Sequence, residues 1–379
     1  MDLTFTEEQQ MVRKMVRDFA QKEVAPIAAE IDEKGKVPFE NIKKMAQLGL
    51  LGLTVSEKYD GGGADAISYV IAIEELAKAC ASTAIFVAVQ NSLVCAGIEK
   101  FGTEEQKEEF LKPLARGEKI GAFALTEPGA GCDVSVLQTT AVRDGDVYII
   151  NGGKRFITSG GIADTILVFA QTDKAQRHRG ITAFIVEKTL EGFSLGKEED
   201  KMGIRGTNTQ ELNFDDMRVL ASNRLSDEGQ GFKIAMTMLD AGRVGVAAQA
   251  VGIAQGAYEA ALKYSKERVQ FGKPIARFQA IQWMLSDMAT RIEASRLLTY
   301  QAALAKESGA RFSKEAAMAK LFASETAVWV TNRAVQIHGG YGYMKEYSVE
   351  RSYRDAKITE IYEGTNEVQR MVIARSILS

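Results

Sequence analysis

The sequence predicts an α+β protein with three domains, namely a helical domain over residues 1–120, a middle antiparallel β domain over 121–228 and a second helical domain over 229–379. Two observations carry this prediction. Apolar residues recur at helical spacing in the first and last parts of the chain, whereas short β-branched and aromatic runs bounded by Gly, Asp and Asn mark the middle. No helix-length segment joins these runs, which favours antiparallel pairing.

In the first domain, capping patterns and apolar periodicity predict the helices. Thr6 with Gln9, and Thr103 with Gln106, each match a capping box. Further helices are expected over 67–79 and over 83–101. The second of these is strongly apolar except for Gln-Asn-Ser at 90–92. These polar residues are either partly exposed or hydrogen-bonded internally, or they line a binding pocket.

In the middle domain we predict strands at 147–150, 165–169, 181–186 and 211–214. The last domain shows helical periodicity over 234–267, 278–306 and 313–337, and Pro274 is the last proline of the chain. Proline-free helices of this length are typical of a helix bundle.

Composition restricts the class of protein. The chain has 379 residues, 46% of them hydrophobic, and a net charge of -3 without a basic stripe, so we expect no nucleic-acid partner. Three cysteines and two histidines are too few for a disulfide framework or a metal cluster. The chain enters an amphipathic helix at once and has no long apolar run, which predicts no membrane segment and a cytoplasmic location.

The segment GAFALTEPGAGCD, at 121–133, joins the first domain to the strands. It contains Gly129-Ala130-Gly131, but Val134 stands where a dinucleotide fingerprint has its third glycine, and no strand-loop-helix pattern follows. We therefore exclude a Rossmann site. The segment is either an ordinary turn or a different kind of cofactor loop.

The stretch IYEGT, at 361–365, places the carboxylate of Glu363 between an aromatic residue and a glycine. A second small-residue break, HGGYG at 338–342, lies upstream. Such breaks indicate a backbone that approaches something closely. The alternative is a helix that ends at Gly342, a loop, and a new helix capped at Thr365.

Together these motifs, in this order, resemble the acyl-CoA dehydrogenases, most closely the short-chain, butyryl-CoA type, and the resemblance covers essentially the whole chain. It implies the acyl-CoA dehydrogenase fold, with a four-helix bundle as its last domain. It also implies bound FAD, an acyl-CoA substrate, electron-transferring flavoprotein as electron acceptor, and a homotetramer built as a dimer of dimers.

The resemblance assigns the first flavin stretch to 121–133. Phe123, Leu125 and Thr126 would lie along the isoalloxazine, with Gly131 and Cys132 near the flavin phosphate and the thioester end of the substrate. The family usually has Ser or Thr at the position of Cys132. Because a thiol is a weaker hydrogen-bond donor than a hydroxyl, a side-chain contact there would be weakened, whereas a backbone contact would survive.

The second flavin stretch by resemblance is KRFITSG, at 154–160. Phe156 replaces a tryptophan common in the family and would pack beside the ring, with Ile157 next to it. Thr158 would donate its hydroxyl toward flavin N5, whose electronics respond to hydrogen bonding. For Phe156 the alternative is an ordinary core position in a strand.

A third set of residues would reach the FAD of a neighbouring subunit. Arg268 suits a pyrophosphate because its guanidinium is a bidentate donor. An isolated subunit would then have an incomplete flavin site, and oligomerisation would be obligatory. The other members of this set are Phe271, Gln279, Gln336, Gly339 and Gly340.

The resemblance also implies a set of substrate-binding residues in the last domain. Asp240 and Arg243 would contact CoA, unless they are a surface helix pair. Gly242 stands where the long-chain and isovaleryl branches carry a glutamate base, so the base should be Glu363. The remaining assignments are Gly364 and Arg375 for substrate, and Thr365 and Glu367 for flavin.

The implied reaction is α,β-dehydrogenation of an acyl-CoA to the trans-2-enoyl-CoA. Glu363 would take the pro-R α-proton while the β-hydride moves to flavin N5. The ribityl 2'-hydroxyl and the backbone N–H of Glu363 would hold the thioester carbonyl. Burial should raise the pKa of Glu363 and strengthen it as a base.

Four alternatives remain open at this level. The substrate could be a branched-chain or alicyclic acyl-CoA, and Gln90 with Asn91 could favour a shorter or bulkier acyl group. An acyl-CoA oxidase-like enzyme would share the fold, although the extra C-terminal domain common in that branch is lacking here. A non-catalytic acyl-CoA or flavin binder is disfavoured by Glu363. The same site could also run in reverse as an enoyl-CoA reductase.

Overall fold

The structure, a computed structural model, describes residues 4–378. Its first part is helical, and both predicted capping boxes are present, at Thr6 and Thr103. Within this part, π-helical turns occupy Ala20–Val24, Gln90–Cys95 and Lys107–Leu111. The α-helices are α1 Glu7–Phe19, α2 Ala28–Lys34, α3 Phe39–Gln47, α4 Ala66–Ala79, α5 Ala81–Val89, α6 Ala96–Phe101, α7 Glu104–Gln106 and α8 Lys112–Ala115.

The middle part is a twisted β-sheet. Its strands are β1 Gly121–Ala124, β2 Thr140–Asp144, β3 Val147–Thr158, β4 Thr165–Gln171, β5 Ile181–Glu187, β6 Phe193–Glu198, β7 Thr209–Leu220 and β8 Arg224–Leu225. The order is β6-β7-β3-β2-β4-β5-β8, with β1 paired to β4. The four predicted strands are confirmed as β3, β4, β5 and β7. Pairing is antiparallel as predicted, except that β1 runs parallel to β4 and β2 meets β4 in parallel at one residue pair.

The last part is helical again, and the three predicted long helices are confirmed. A 3₁₀ turn, Gly339–Tyr343, follows the third of them, and IYEGT forms the loop between the last two helices. A small hairpin, β9 Val269–Gln270 with β10 Lys273–Pro274, follows the first. The helices are α9 Gly231–Glu267, α10 Gln279–Glu307, α11 Ser313–His338, α12 Ser348–Ile358 and α13 Asn366–Leu378.

Helix α9 ties the two helical parts together by packing closely on α4. A Cβ atom added at Gly252 would lie 2.4 Å from the carbonyl oxygen of Glu74, and one added at Gly256 would lie 2.5 Å from that of Lys78. Because no side chain fits there, the two backbones can approach each other. The apolar core shared by α1, α4, α5, α9, α10 and α11 is therefore continuous across both helical parts.

The expectation of no long apolar run is wrong, because the segment Ala81–Phe101 is long and apolar enough to cross a membrane, but 94% of its apolar 18-residue stretch is buried inside the protein. It is thus a core element, and its polar run at 90–92 is hydrogen-bonded internally. The Gln90 amide donates to the carbonyls of Leu114 and Lys119 and accepts from the N–H of Gly121. The side-chain amide of Asn91 likewise donates to two backbone carbonyls and accepts from a backbone N–H. The Ser92 hydroxyl donates to a carbonyl one turn earlier. Internal hydrogen bonding therefore accounts for all three residues.

Candidate active site

Glu363 lies in a strained loop. Its φ is +55° and that of Gly364 is +87°, so two consecutive residues occupy the left-handed region. A non-glycine residue there costs on the order of 1–2 kcal/mol, which the surroundings must offset. The carbonyl of Glu363 accepts from Nε of Arg243 at 3.3 Å and from Nε2 of Gln369 at 3.2 Å, and Gln369 also donates to the carbonyl of Gly364 at 2.7 Å. These two side chains hold the loop in place.

The carboxyl group of Glu363 is enclosed although part of the residue reaches the surface. Its Oε2 atom is buried and has no hydrogen-bond partner among residues 4–378. Burial raises the pKa of Glu363 to about 7, against the opposing effect of the cations Arg243 and Lys320. The group is therefore a carboxylate with an open acceptor atom and an unusually high affinity for a proton.

Gly242 on α9 provides the space for this carboxyl. A Cβ atom at this position would lie 2.7 Å from Oε2 of Glu363 and 3.0 Å from Cδ2 of Leu93. Any side chain at 242 would occupy the volume that the Glu363 carboxyl fills. The structure thus brings the two positions together, as expected if either could carry the base.

The predicted substrate pair on α9 is not a surface pair. Arg243 is only 6% exposed and forms a salt bridge with Asp240, which also accepts from the hydroxyl of Ser313. Since Arg243 also bonds the Glu363 carbonyl, the pair belongs to the site, and the surface alternative is wrong.

Helix α13 continues from this loop. The Thr365 hydroxyl accepts from the N–H of Val368 at 3.4 Å, so the expected helix cap at Thr365 is present beside the candidate base. Glu367 and Arg375 lie on exposed positions of α13, and within residues 4–378 neither forms a hydrogen bond with the buried Oε2 atom of Glu363. Any role of Arg375 in binding is therefore at the surface.

The two predicted flavin stretches meet along β1 and β3. The N–H of Arg155 donates to the carbonyl of Thr126 at 2.8 Å, and Nζ of Lys154 donates to the carbonyl of Leu125 at 3.1 Å. Phe123, on β1, packs on Phe169 with 4.8 Å between ring centroids. The stretches at 121–133 and 154–160 thus form one surface.

A bulge in β3 turns Phe156 outward. The register of β3 against β7 shifts between Lys154 and Ile157, and Phe156 has a φ of +59° and is 60% exposed. The alternative of a core strand position for Phe156 is therefore wrong. Ile157 is only 2% exposed and packs in the sheet core, so the expected cofactor contact of Ile157 is restricted to its backbone.

A buried ion pair, which the sequence did not reveal, locks these stretches together. Nζ of Lys154 lies 2.7 Å from Oε1 of Glu127, and both side chains are almost fully buried. Burial raises the pKa of Glu127, but the Lys154 ammonium and hydrogen bonds from the backbone of 138–139 outweigh this and lower it below the usual range. Burial lowers the pKa of Lys154 to about 8 against the attraction of Glu127.

This surface fits a flavin ring. The half-buried hydroxyls of Thr126 and Thr158 have no hydrogen-bond partner within residues 4–378, and Phe156 presents an exposed aromatic face beside them. A Cβ atom at Gly131 would meet no atom within 4 Å, and Cys132 next to it is exposed. Free donors next to an aromatic ring and an open turn match a planar heterocycle with a phosphate tail.

The π-helical turn Gln90–Cys95 joins the two halves of the site. Leu93 approaches Gly242 and the Glu363 carboxyl, whereas Val94 packs on β1, where a Cβ at Gly121 would lie 2.7 Å from it. Adjacent residues of one turn thus pack beside Gly242, which makes room for the base, and on the flavin strand. This arrangement sets the two sites next to each other in the same subunit.

The third predicted set lies on the surface of the last part. The guanidinium of Arg268 stacks over Tyr341 at 5.4 Å, which brings the hairpin to the Gly339–Tyr343 turn. Phe271 is 93% exposed, with a φ of +50°. No hydrogen bond, ion pair or ring contact in the described chain joins this set to β1 or β3. Its other members, all exposed, are Gln279, Gln336, Gly339 and Gly340.

A β domain between two helical domains, with a flavin-fitting surface beside a buried carboxylate, defines a class of FAD-dependent oxidoreductases. Three family models match consecutive parts of the chain. The models of the acyl-CoA dehydrogenase N-terminal, middle and C-terminal domains match residues 6–118, 122–217 and 229–378. The chain therefore belongs to the acyl-CoA dehydrogenase family.

Individual proteins agree with the family models. A short-chain specific acyl-CoA dehydrogenase from Clostridium acetobutylicum is 54% identical, and an acryloyl-CoA reductase (NADH) from Anaerotignum propionicum is 50% identical. The alignments cover 100% of this chain and 100% and 96% of those proteins, respectively.

Solved structures give the same result. Butyryl-CoA dehydrogenase from Megasphaera elsdenii matches with a TM-score of 0.99 and 53% identity. A chain from a structure described as the electron transferring flavoprotein of Acidaminococcus fermentans matches with a TM-score of 0.99 and 54% identity. Both matches cover 100% of either chain.

Proposed function

We propose that this enzyme oxidises short-chain acyl-CoA thioesters, such as butyryl-CoA, to trans-2-enoyl-CoA with Glu363 as the base. One observation carries the proposal: an enclosed carboxyl with a free Oε2 atom faces the glycine that leaves room for it. The similarity to short-chain and butyryl-CoA dehydrogenases supports the choice of substrate.

The residues of the Glu363 loop have two tasks in this reaction. The α-hydrogen leaves as a proton to Oε2 of Glu363, and the β-hydrogen leaves with the electron pair of its bond. Bound FAD supplies the acceptor for that hydride. The backbone N–H of Glu363 has no acceptor within residues 4–378, so it is free to donate to the thioester carbonyl as negative charge develops there.

Electron-transferring flavoprotein is the proposed partner that reoxidises the enzyme. This chain matches a chain in a solved structure whose description names the electron transferring flavoprotein of Acidaminococcus fermentans, and this match supports the assignment. We also propose a homotetramer, in which Arg268, Phe271 and the Gly339–Tyr343 turn complete the FAD site of a neighbouring subunit. The 93% exposure of Phe271 in a single chain supports a surface that another subunit covers.

A cytoplasmic location is proposed from the cysteines. Cys80, Cys95 and Cys132 are all free thiols, and the first two are buried. Free thiols suit a reducing compartment. Cell fractionation with an antibody against the protein tests this, and recovery of the protein outside the cytoplasmic fraction would contradict it.

Reduction of an enoyl-CoA by the same site is the second candidate function. The full-length similarity to acryloyl-CoA reductase favours it, because that relative is named for the opposite direction. Glu363, once protonated, would return the proton to Cα. The pKa of about 7 means that both protonation states are populated near neutral pH.

An anaerobic titration of the purified holoenzyme tests the proposed substrate. We expect butyryl-CoA to bleach the flavin absorbance at near-stoichiometric amounts, and longer, branched and alicyclic thioesters to bleach it less. If only a branched or alicyclic thioester bleached the flavin, that thioester class would replace short-chain acyl-CoA as the proposed substrate. No bleaching with any thioester would contradict the reaction. Reoxidation by crotonyl-CoA, followed in the same cuvette, measures the reverse direction.

A further inference from the structure

Lys320 on α11 lies fully buried beside the loop that carries Glu363. Its Nζ donates to Oδ1 of Asn366 at 2.8 Å, and the hydroxyl of Ser324, one turn further along α11, donates to the same oxygen at 3.0 Å. Asn366 begins α13, and its N–H donates to the carbonyl of Glu360 at 3.0 Å. The lysine is thus fixed where the Glu363 loop meets α13.

This ammonium has no carboxylate within ion-pair distance in the part of the chain that the structure describes. A buried charge without a partner is costly, and the burial of Lys320 lowers its pKa to about 8. Its strongest interaction with another charge is the attraction of Glu363. Glu363, in turn, has a buried oxygen without a hydrogen-bond partner.

We propose that Lys320 is a positioning residue of this active site, whose ammonium, held by Asn366 and Ser324, favours the ionised form of the Glu363 carboxyl without forming an ion pair with it. The inference rests on the proposed role of Glu363 as the base. A direct ion pair would occupy the oxygen that must take the proton. A cation one loop away stabilises the carboxylate and leaves Oε2 open.

Arg243, from α9, also favours the carboxylate form of Glu363, and its effect is larger than that of Lys320. Its guanidinium is committed to the Glu363 carbonyl and to Asp240, whereas Lys320 has no carboxylate partner within residues 4–378. From α4 and from the loop, the phenols of Tyr69 and Tyr362 face the carboxyl, and burial raises the pKa of both, so they are neutral. The remaining charged groups, Glu360 and Glu367, interact with Lys320 rather than with Glu363.

The test is a pH titration of the Glu363 carboxyl by infrared difference spectroscopy on the holoenzyme. The carboxyl band is assigned by its loss in Glu363→Gln. Lys320→Met removes the charge and keeps the length of the stem, whereas Lys320→Arg keeps the charge. Lys201→Met is the matched control, because Lys201 is another lysine whose pKa is lowered by burial, and within residues 4–378 its Nζ donates to the carbonyl of Thr207 alone.

We expect the midpoint of the Glu363 titration to rise by about one pH unit in Lys320→Met, and to stay at the wild-type value in Lys320→Arg and Lys201→Met. The acid limb of kcat/KM should move by the same amount. An unchanged midpoint in Lys320→Met, or an equal rise in Lys320→Arg, would overturn the proposal. A midpoint that moves without the acid limb would instead contradict Glu363 as the base.

Asn366→Asp provides a second test if Lys320→Met gives no folded holoenzyme. The new carboxylate would pair with the Lys320 ammonium and cancel its field. The Glu363 midpoint should then rise as well, and an unchanged midpoint in this variant would equally overturn the proposal.

Discussion

Glu363 combines two features that oppose stability, namely a left-handed backbone and a buried carboxyl with an unsatisfied oxygen. Both are kept because Arg243 and Gln369 bond the carbonyls of the loop from neighbouring helices. Such features cluster at functional sites, where the strain maintains a geometry that the chemistry requires. The residue is therefore built for reactivity at the expense of stability.

The pH dependence of kcat/KM should report this carboxyl. Only the ionised form of Glu363 accepts a proton, and its pKa is about 7. We expect kcat/KM for butyryl-CoA to rise about tenfold per pH unit below the pKa and to level off above it. Steady-state assays with an artificial electron acceptor between about pH 5 and pH 9 measure this. An acid limb of the kcat/KM profile near the usual glutamate pKa would show that burial does not raise the pKa of Glu363.

The same carboxyl should make stability depend on pH. Its folded pKa is raised above the unfolded value of 4.5, so wild-type stability falls as pH rises from that value through about 7. Glu363→Gln lacks this loss. Its Tm should exceed that of the wild type by roughly 2–5 °C above pH 7 and match it near pH 4. Calorimetry at both pH values is the measurement, and equal Tm values at high pH would contradict the prediction.

Gly242 offers a steric test of the carboxyl position. In Gly242→Ala the added methyl would lie 2.7 Å from Oε2 of Glu363, so the carboxyl must move. Because small displacements of a base are costly, we expect kcat to fall by roughly 100-fold while FAD content stays normal. Gly256→Ala, further along α9, crowds the backbone carbonyl of Lys78 instead, away from Glu363, and serves as the control for general disturbance of the helix. An equal fall of kcat in both variants would contradict the proposal that Gly242 makes room for the Glu363 carboxyl.

At the scale of the elements, the buried ion pair Glu127–Lys154 holds the segment that follows β1 against β3. Removing one partner leaves an uncompensated buried charge, so Lys154→Met should cost about 3–5 kcal/mol in unfolding free energy and release FAD. Glu127→Gln with Lys154→Met should cost less than the sum of the two single changes. Denaturant titration measures all three variants. The exposed pair Arg218–Asp144 is the control, and Arg218→Ala should cost under about 1 kcal/mol.

The elements that the sequence predicted carry a strong local pattern. Helices α9, α10 and α11 show apolar residues at helical spacing, and strands β3, β4, β5 and β7 contain short β-branched or aromatic runs between turn residues. Strand β1 was not predicted because GAFA has no β-branched residue, and β6 was not predicted because FSLGKE carries charges and a glycine at the sheet edge. The outward turn of Phe156 depends on a register shift against β7, which is a non-local property.

For the whole molecule, the surface around Phe271 tests the proposed assembly. Phe271→Asp places a charge on a 93% exposed ring that another subunit should cover. We expect a tetramer for the wild type by light scattering, and smaller species with little FAD for the variant. Val142→Asp, on an exposed position of β2, is the control and should stay tetrameric. A flavin-loaded tetramer in Phe271→Asp would contradict the assembly.

Across the whole molecule, the sequence predicted the candidate residues better than their surroundings. Motifs local in the chain, such as IYEGT, pointed to Glu363, Gly364 and Thr365. Lys320, which is proposed to tune Glu363, lies far away in sequence, and its position beside the loop becomes visible only once α11 and α13 are packed together. No pattern within α11 distinguishes Lys320 from the other lysines of the chain.

The most direct test of the central claim is flavin reduction by Glu363→Gln. The amide keeps the shape of the side chain but cannot accept the α-proton. We predict that the purified variant retains FAD and binds butyryl-CoA, and that anaerobic mixing leaves the flavin oxidised while the wild type bleaches, a rate loss of at least about 10³-fold. Bleaching of the variant at a rate near that of the wild type would show that another group is the base.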